Sequence, residues 1–102
     1  MAMVENLTSR NGNKVANQFK LFLASGVAFQ SYSTMIACKV YGTNKVYLSE
    51  HWDYSNTTLK YLKGFLGTTA SAKVIRERIK EGVYEVVSEN DIEHLAITGN
   101  KM

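Results

Sequence analysis

The sequence predicts an α+β fold: an antiparallel sheet of about four strands in a meander, with two helices packed on one face. Two observations carry this. Apolar residues alternate with a period of two from Val15 to Ser49, interrupted by short turn signals. From Ser55 the period becomes 3.6, and serine and glycine stand where helix caps belong.

The elements follow in order. Residues 1–13 read as a polar N-terminal segment, with Asn11-Gly12-Asn13 as a turn signal. Val15, Asn17, Phe19, Leu21 and Leu23 line one side of a strand, and Ala16, Gln18, Lys20, Phe22 and Ala24 the other. Ser25-Gly26 turns the chain into a second strand, Val27 to Tyr32. Thr34 to Tyr41 alternates again, with Ile36, Cys38 and Val40 on one side and Met35, Ala37, Lys39 and Tyr41 on the other. Gly42-Thr43-Asn44 is a hairpin loop, after which Val46 and Leu48 continue the apolar side. Leu59, Leu62, Phe65 and Leu66 then form a helical stripe between Ser55 and Gly67. Thr69 or Ser71 can cap a second helix over 70–81, ended by Gly82. VYEVV (83–87) is a short strand or extended return. The domain is thus expected over 14–88, with 89–102 as an acidic tail or short helix.

Composition narrows the function classes. The chain has 102 residues, of which 45% are hydrophobic and 21% charged, and a single domain accounts for that length. One cysteine excludes an internal disulfide framework and a multi-cysteine zinc site. No apolar run reaches membrane-spanning length and the N-terminus lacks a signal-peptide core, so the expected setting is the cytoplasm, without membrane contact. The net charge of +3 is uneven. Residues 1–76 hold nine basic and three acidic residues, while 77–102 hold three basic and six acidic ones. Such polarity suits binding to an anion, folding of the acidic end back onto the basic body, or pairing with a second subunit as a homodimer.

Four constellations are candidates for chemistry. Lys39, Tyr41, Lys45 and Tyr47 alternate on the sheet face expected to be wet, a pattern that stacks bases and pairs phosphates. The bland account is that Tyr favours exposed strand positions and Lys blunts aggregation. His51-Trp52-Asp53-Tyr54 marks the strand-to-helix junction, but neighbouring side chains diverge, so no acid–base pair is assembled there. Gln30, Ser31, Tyr32, Ser33 and Thr34 form a polar cluster that suits either partner contact or backbone satisfaction. Ser55-Asn56-Thr57-Thr58 suits helix capping better than phosphate binding, since no glycine-rich loop precedes it. Neither catalytic residues, nor a metal site, nor a cofactor is expected.

FQSYSTMIA (29–37) and HWDYSNTTLKYLKGFLG (51–67), with Asn17-Gln18-Phe19, resemble small uncharacterised proteins of phages and mobile elements from low-GC Gram-positive bacteria. The shared motifs are FQSYxxxIA and WxYSxTTxKYLxxFL. The resemblance implies a phage accessory protein acting in a bacterial host cell. Its expected partner is a host protein, with a CRISPR or other defence effector as the concrete case and inhibition as the outcome. Binding is expected at Lys39, Tyr41, Lys45, Tyr47, Gln30, Tyr32, Trp52, Tyr54, Lys60 and Lys63. The alternative is a module binding RNA or single-stranded DNA on the basic, aromatic sheet face.

Overall fold

A computed structural model describes residues 3–8 and 12–100. Its elements are β1 (Met3–Thr8), β2 (Lys14–Phe22), β3 (Gly26–Ser31), β4 (Thr34–Val40), β5 (Val46–Ser49), α1 (Asn56–Leu66), α2 (Ala72–Lys80), β6 (Tyr84–Val87) and α3 (Glu89–Thr98). The strands form one sheet in the order β1-β2-β3-β4-β5-β6. Pairing is antiparallel through β5, and β5 pairs β6 in parallel after the α1–α2 crossover. The α+β class holds, and the meander of β2 to β5 is present. Two strands and one helix extend it. The expected N-terminal segment contains β1, which pairs Met3–Asn6 with Phe19–Phe22. Of the acidic tail or short helix expected over 89–102, Glu89–Thr98 form helix α3, started by Ser88, whose Oγ accepts from the Asp91 amide at 3.2 Å. Of the predicted Asn11-Gly12-Asn13 turn, Asn11 lies outside the described residues.

The helices cover both faces of the sheet. On one, Phe29, Ile36, Ala37 and Leu48 pack with Trp52, Leu62 and Phe65 of the α1 side, and with Ile75 of α2 and Tyr84. On the other, Ala28, Met35, Cys38 and Tyr47 pack beneath Ile92, Leu95 and Ala96 of α3. This corrects the expected one-sided sheet. The reason lies in β4. Phe29 pairs Ala37 and Gln30 pairs Met35, so Ile36 is an extra residue, a β-bulge. The bulge breaks the period of two, placing Ile36 opposite to Cys38 and Val40. Both sides of β4 are therefore apolar, as a strand between two helix layers requires.

Close approach fixes the second layer. A Cβ on Gly26 would lie 2.5 Å from the Lys39 carbonyl oxygen and 3.4 Å from Ala96 Cα, so only glycine fits between β4 and α3. The other helices start at serine caps, α1 stops at the expected glycine, and α2 stops at Lys80 with Glu81 as its C-cap. Ser55 Oγ accepts from the Thr58 amide, Ser71 Oγ from the Val74 amide, and Gly67 closes α1 at φ 72°.

Candidate functional site

The basic, aromatic sheet face is not formed as an open surface. Tyr47 is buried beneath α3, and Lys39 points to the other side of the sheet. Lys39 Nζ donates to the Phe65 carbonyl at 2.5 Å and lies 4.7 Å from the Phe65 ring centre. It thus satisfies a free carbonyl in the last turn of α1, where the helix dipole favours a cation. Burial, and next the charge of Lys20, lower its pKa from 10.5. Tyr41 and Lys45 are exposed beyond the C-terminal end of β4.

Three other segments converge at the opposite end of β4. The pairing of β1 with β2 steps from Asn6–Phe19 to Thr8–Lys14, so residues 15–18 of β2 stand against the single residue Leu7 of β1. Asn6 Nδ2 donates to the Val15 carbonyl at 3.1 Å, and Asn17 takes a left-handed φ of 64°. Tyr32, first residue of the tight β3–β4 turn, takes φ 57°. Asn tolerates this region; for a bulky residue such as Tyr it costs roughly 1–2 kcal/mol. The Tyr32 amide donates to the Asn17 carbonyl at 2.6 Å, and Gln30 Nε2 donates to the Tyr32 carbonyl at 2.7 Å.

Behind this turn lies a buried polar chain. Ser31 Oγ is 3.0 Å from Thr58 Oγ1, and Ser55 Oγ donates to Thr58 Oγ1 at 3.0 Å while accepting from the Thr58 amide. The β3–β4 turn is thereby tied to the start of α1. Gln18 pairs Ser31 across the strands and so lies on the same face. It is fully buried, and both its Oε1 and Nε2 lack a hydrogen-bond partner. An unpaired buried amide costs roughly 1–3 kcal/mol.

At the surface of this end stand Tyr32 and Tyr54, 51% and 64% exposed, each one residue removed from a member of the chain. Trp52 is not a surface contact. It is buried, with the Arg76 guanidinium 5.4 Å from its ring and Arg76 Nη2 3.0 Å from Asp53 Oδ2. Lys60 lies exposed over the Tyr61 ring, and Lys63 is half-buried in the last turn of α1. Of the ten expected contact residues, Gln30, Tyr32 and Tyr54 therefore gather at one end, with Lys60 and Lys63 along α1. Asn17, Gln18, Ser31 and Thr58 were not expected as site residues. Ser31 and Thr58 lie in two polar clusters that read separately, one as partner contact or backbone satisfaction and one as a cap, and Asn17 and Gln18 read as strand residues.

Charge is divided by the sheet. Helices α1 and α2 carry Lys60, Lys63, Lys73, Arg76, Arg78 and Lys80 against Glu77, whereas α3 on the opposite face carries Glu89, Asp91 and Glu93. Half of the six acidic residues of 77–102 thus stand on α3, while Glu77 and Glu81 belong to α2 and its C-cap and Glu85 to β6. Cys38 lies beneath α3, its thiol pushed up to about 11 by burial, while His51 stands in the exposed turn after β5, 3.8 Å from Glu50. A thiol so held is a packing group rather than a nucleophile.

No curated protein and no solved structure matches the chain. A family model described as a family of unknown function, DUF8033, matches residues 2–82, from β1 through α2, and includes every residue of the Asn17–Tyr32–Thr58 corner. The chain belongs to this family of unknown function.

Proposed function

We propose that this is a non-catalytic phage accessory protein that binds and inhibits a bacterial host protein in the cytoplasm, a CRISPR-type or other defence nuclease being the concrete target. The observation that supports it most is the corner itself. Two exposed tyrosines stand on a hydrogen-bonded base formed by the three segments that carry the phage resemblance. Aromatic side chains on a rigid base lose little entropy on docking and dominate interface energy.

The test is affinity capture from a nuclease-treated lysate of a low-GC Gram-positive host. A defence effector recovered by the parent chain and lost with Tyr32→Ala and Tyr54→Ala supports the proposal. Recovery unchanged by both substitutions refutes it.

The nucleic-acid reading is supported by a different surface, the basic α1–α2 layer. Lys60, Lys73 and Lys80 are exposed there. That reading requires single-stranded RNA or DNA to bind with affinity falling steeply as salt rises. A homodimer would use the open edges of the sheet, where Met3 and Val4 of β1 are exposed.

A further inference from the structure

We infer that the Asn17–Tyr32 hydrogen bond is a latch, and that opening it delivers the buried Gln18 carboxamide to a peptide group of the docking partner. The inference rests on the docking reading above for what receives the carboxamide, and on the structure for the latch.

Three departures from local rules meet here. Among the described residues, Asn17 and Tyr32 are the two non-glycine residues with positive φ, and they are bonded to each other. Gln18, next in the chain to Asn17, supplies the only buried side-chain polar atoms left without a partner among the described residues. Strained residues and unpaired buried groups cluster at sites that bind or switch. The hydroxyls of Ser31, Thr58 and Ser55 are bonded among themselves, and none of them bonds the Gln18 amide.

The chemistry of Gln18 selects the recipient. A carboxamide offers an acceptor oxygen and donor hydrogens in one plane, the complement of a peptide C=O and N–H. Gln18 lies on a strand beside a turn whose amide is held by a single carbonyl, that of Asn17. That bond is the rung next to the Gln18–Ser31 pair, so opening it begins the separation of β2 from the β3–β4 turn, and Gln18 is delivered once the pair and the Ser31–Thr58 bond part with it. Tyr32 moves with the turn, so the residue that anchors the partner also works the latch.

Thiol labelling tests this on the whole chain. Gln18→Cys is exposed to 5,5′-dithiobis(2-nitrobenzoate) beside the native Cys38, which is buried under α3 and reports global unfolding. Two phases are expected, with the new thiol reacting roughly 100-fold faster, as local opening below the global unfolding barrier requires. A single slow phase overturns the latch. If the variant does not fold, amide exchange of the unsubstituted chain decides instead. Tyr32 N–H is expected to exchange well ahead of the central amides of β4, and equal rates overturn the latch.

The carboxamide's role is separated in the capture assay. Gln18→Met keeps the side-chain length and removes the amide. If Tyr32→Ala abolishes capture and Gln18→Met weakens it about tenfold or more, consistent with lost hydrogen bonds to a buried group, the inference stands. If Gln18→Met captures like the parent, the inference falls while the docking surface survives. If neither substitution matters, the docking surface falls.

Discussion

The amide of Tyr32 donates to the carbonyl of Asn17 across 2.6 Å, joining two residues whose φ values are 57° and 64°. Replacing Tyr32 by glycine removes the Cβ conflict of the left-handed conformation, at the cost of a more flexible unfolded chain. The net expectation is a gain of about 0.5–1 kcal/mol for Tyr32→Gly. Tyr32→Ala keeps the Cβ and brings no such gain. Urea midpoints at unchanged slope distinguish the two.

Thr58 joins Ser31 and Ser55 in one buried chain. Thr58→Val keeps the shape and leaves both serine hydroxyls short of a partner, a loss of about 1–3 kcal/mol. Ser31→Ala alone also leaves Thr58 with one partner fewer. The double substitution is expected to cost less than the sum of the singles, by about 1 kcal/mol, because the pair shares one bond. Additive losses in the cycle would mean that the two hydroxyls do not interact.

Helix α3 is a core element. Leu95 is buried against the face that holds Cys38 and Tyr47. Leu95→Ala is expected to cost about 2–5 kcal/mol, the range for large-to-small changes in a packed interior. A chain ended after residue 88 uncovers Ala28, Met35, Cys38 and Tyr47 together, and is expected to lose its near-ultraviolet circular dichroism and bind a hydrophobic dye.

Stability is expected to fall between pH 9 and 11 on account of Cys38. Its thiol is raised from 9.0 to about 11 in the fold, so the native state holds a proton that the unfolded chain releases. The contribution is complete below pH 9 and lost as pH approaches 11, a change of about 2–3 kcal/mol. Lys39 acts with the opposite sign. Its pKa is lowered from 10.5, so the unfolded chain holds the extra proton and stability rises with pH just below that value. Cys38→Ala should therefore remove the fall and leave the rise, as read from denaturant titrations across this range.

Local signals in the chain were sufficient for most elements. The alternation from Val15 to Leu48 marks strands β2 to β5, because a period of two belongs to extended backbone alone. Ser55, Gly67 and Ser71 mark helix ends because their side chains or conformations satisfy groups that every helix leaves unpaired. The convergence of FQSY with WxYSxTT was present as two polar clusters, but nothing local says that Ser31 reaches Thr58, 27 positions away. Tertiary structure alone decided the rest. Strand β1 carries Glu5 and Asn6 between its apolar residues, and only pairing with β2 makes it a strand. The bulge at Ile36 exchanges the sides of Met35 and Ile36 relative to the rest of β4, and the exchange depends on the register with β3. Most of all, a run read as one wet face and one dry face is dry on both. Its small residues Ala28, Cys38 and Gly26 are what let α3 approach, and that contact exists only once the chain has folded.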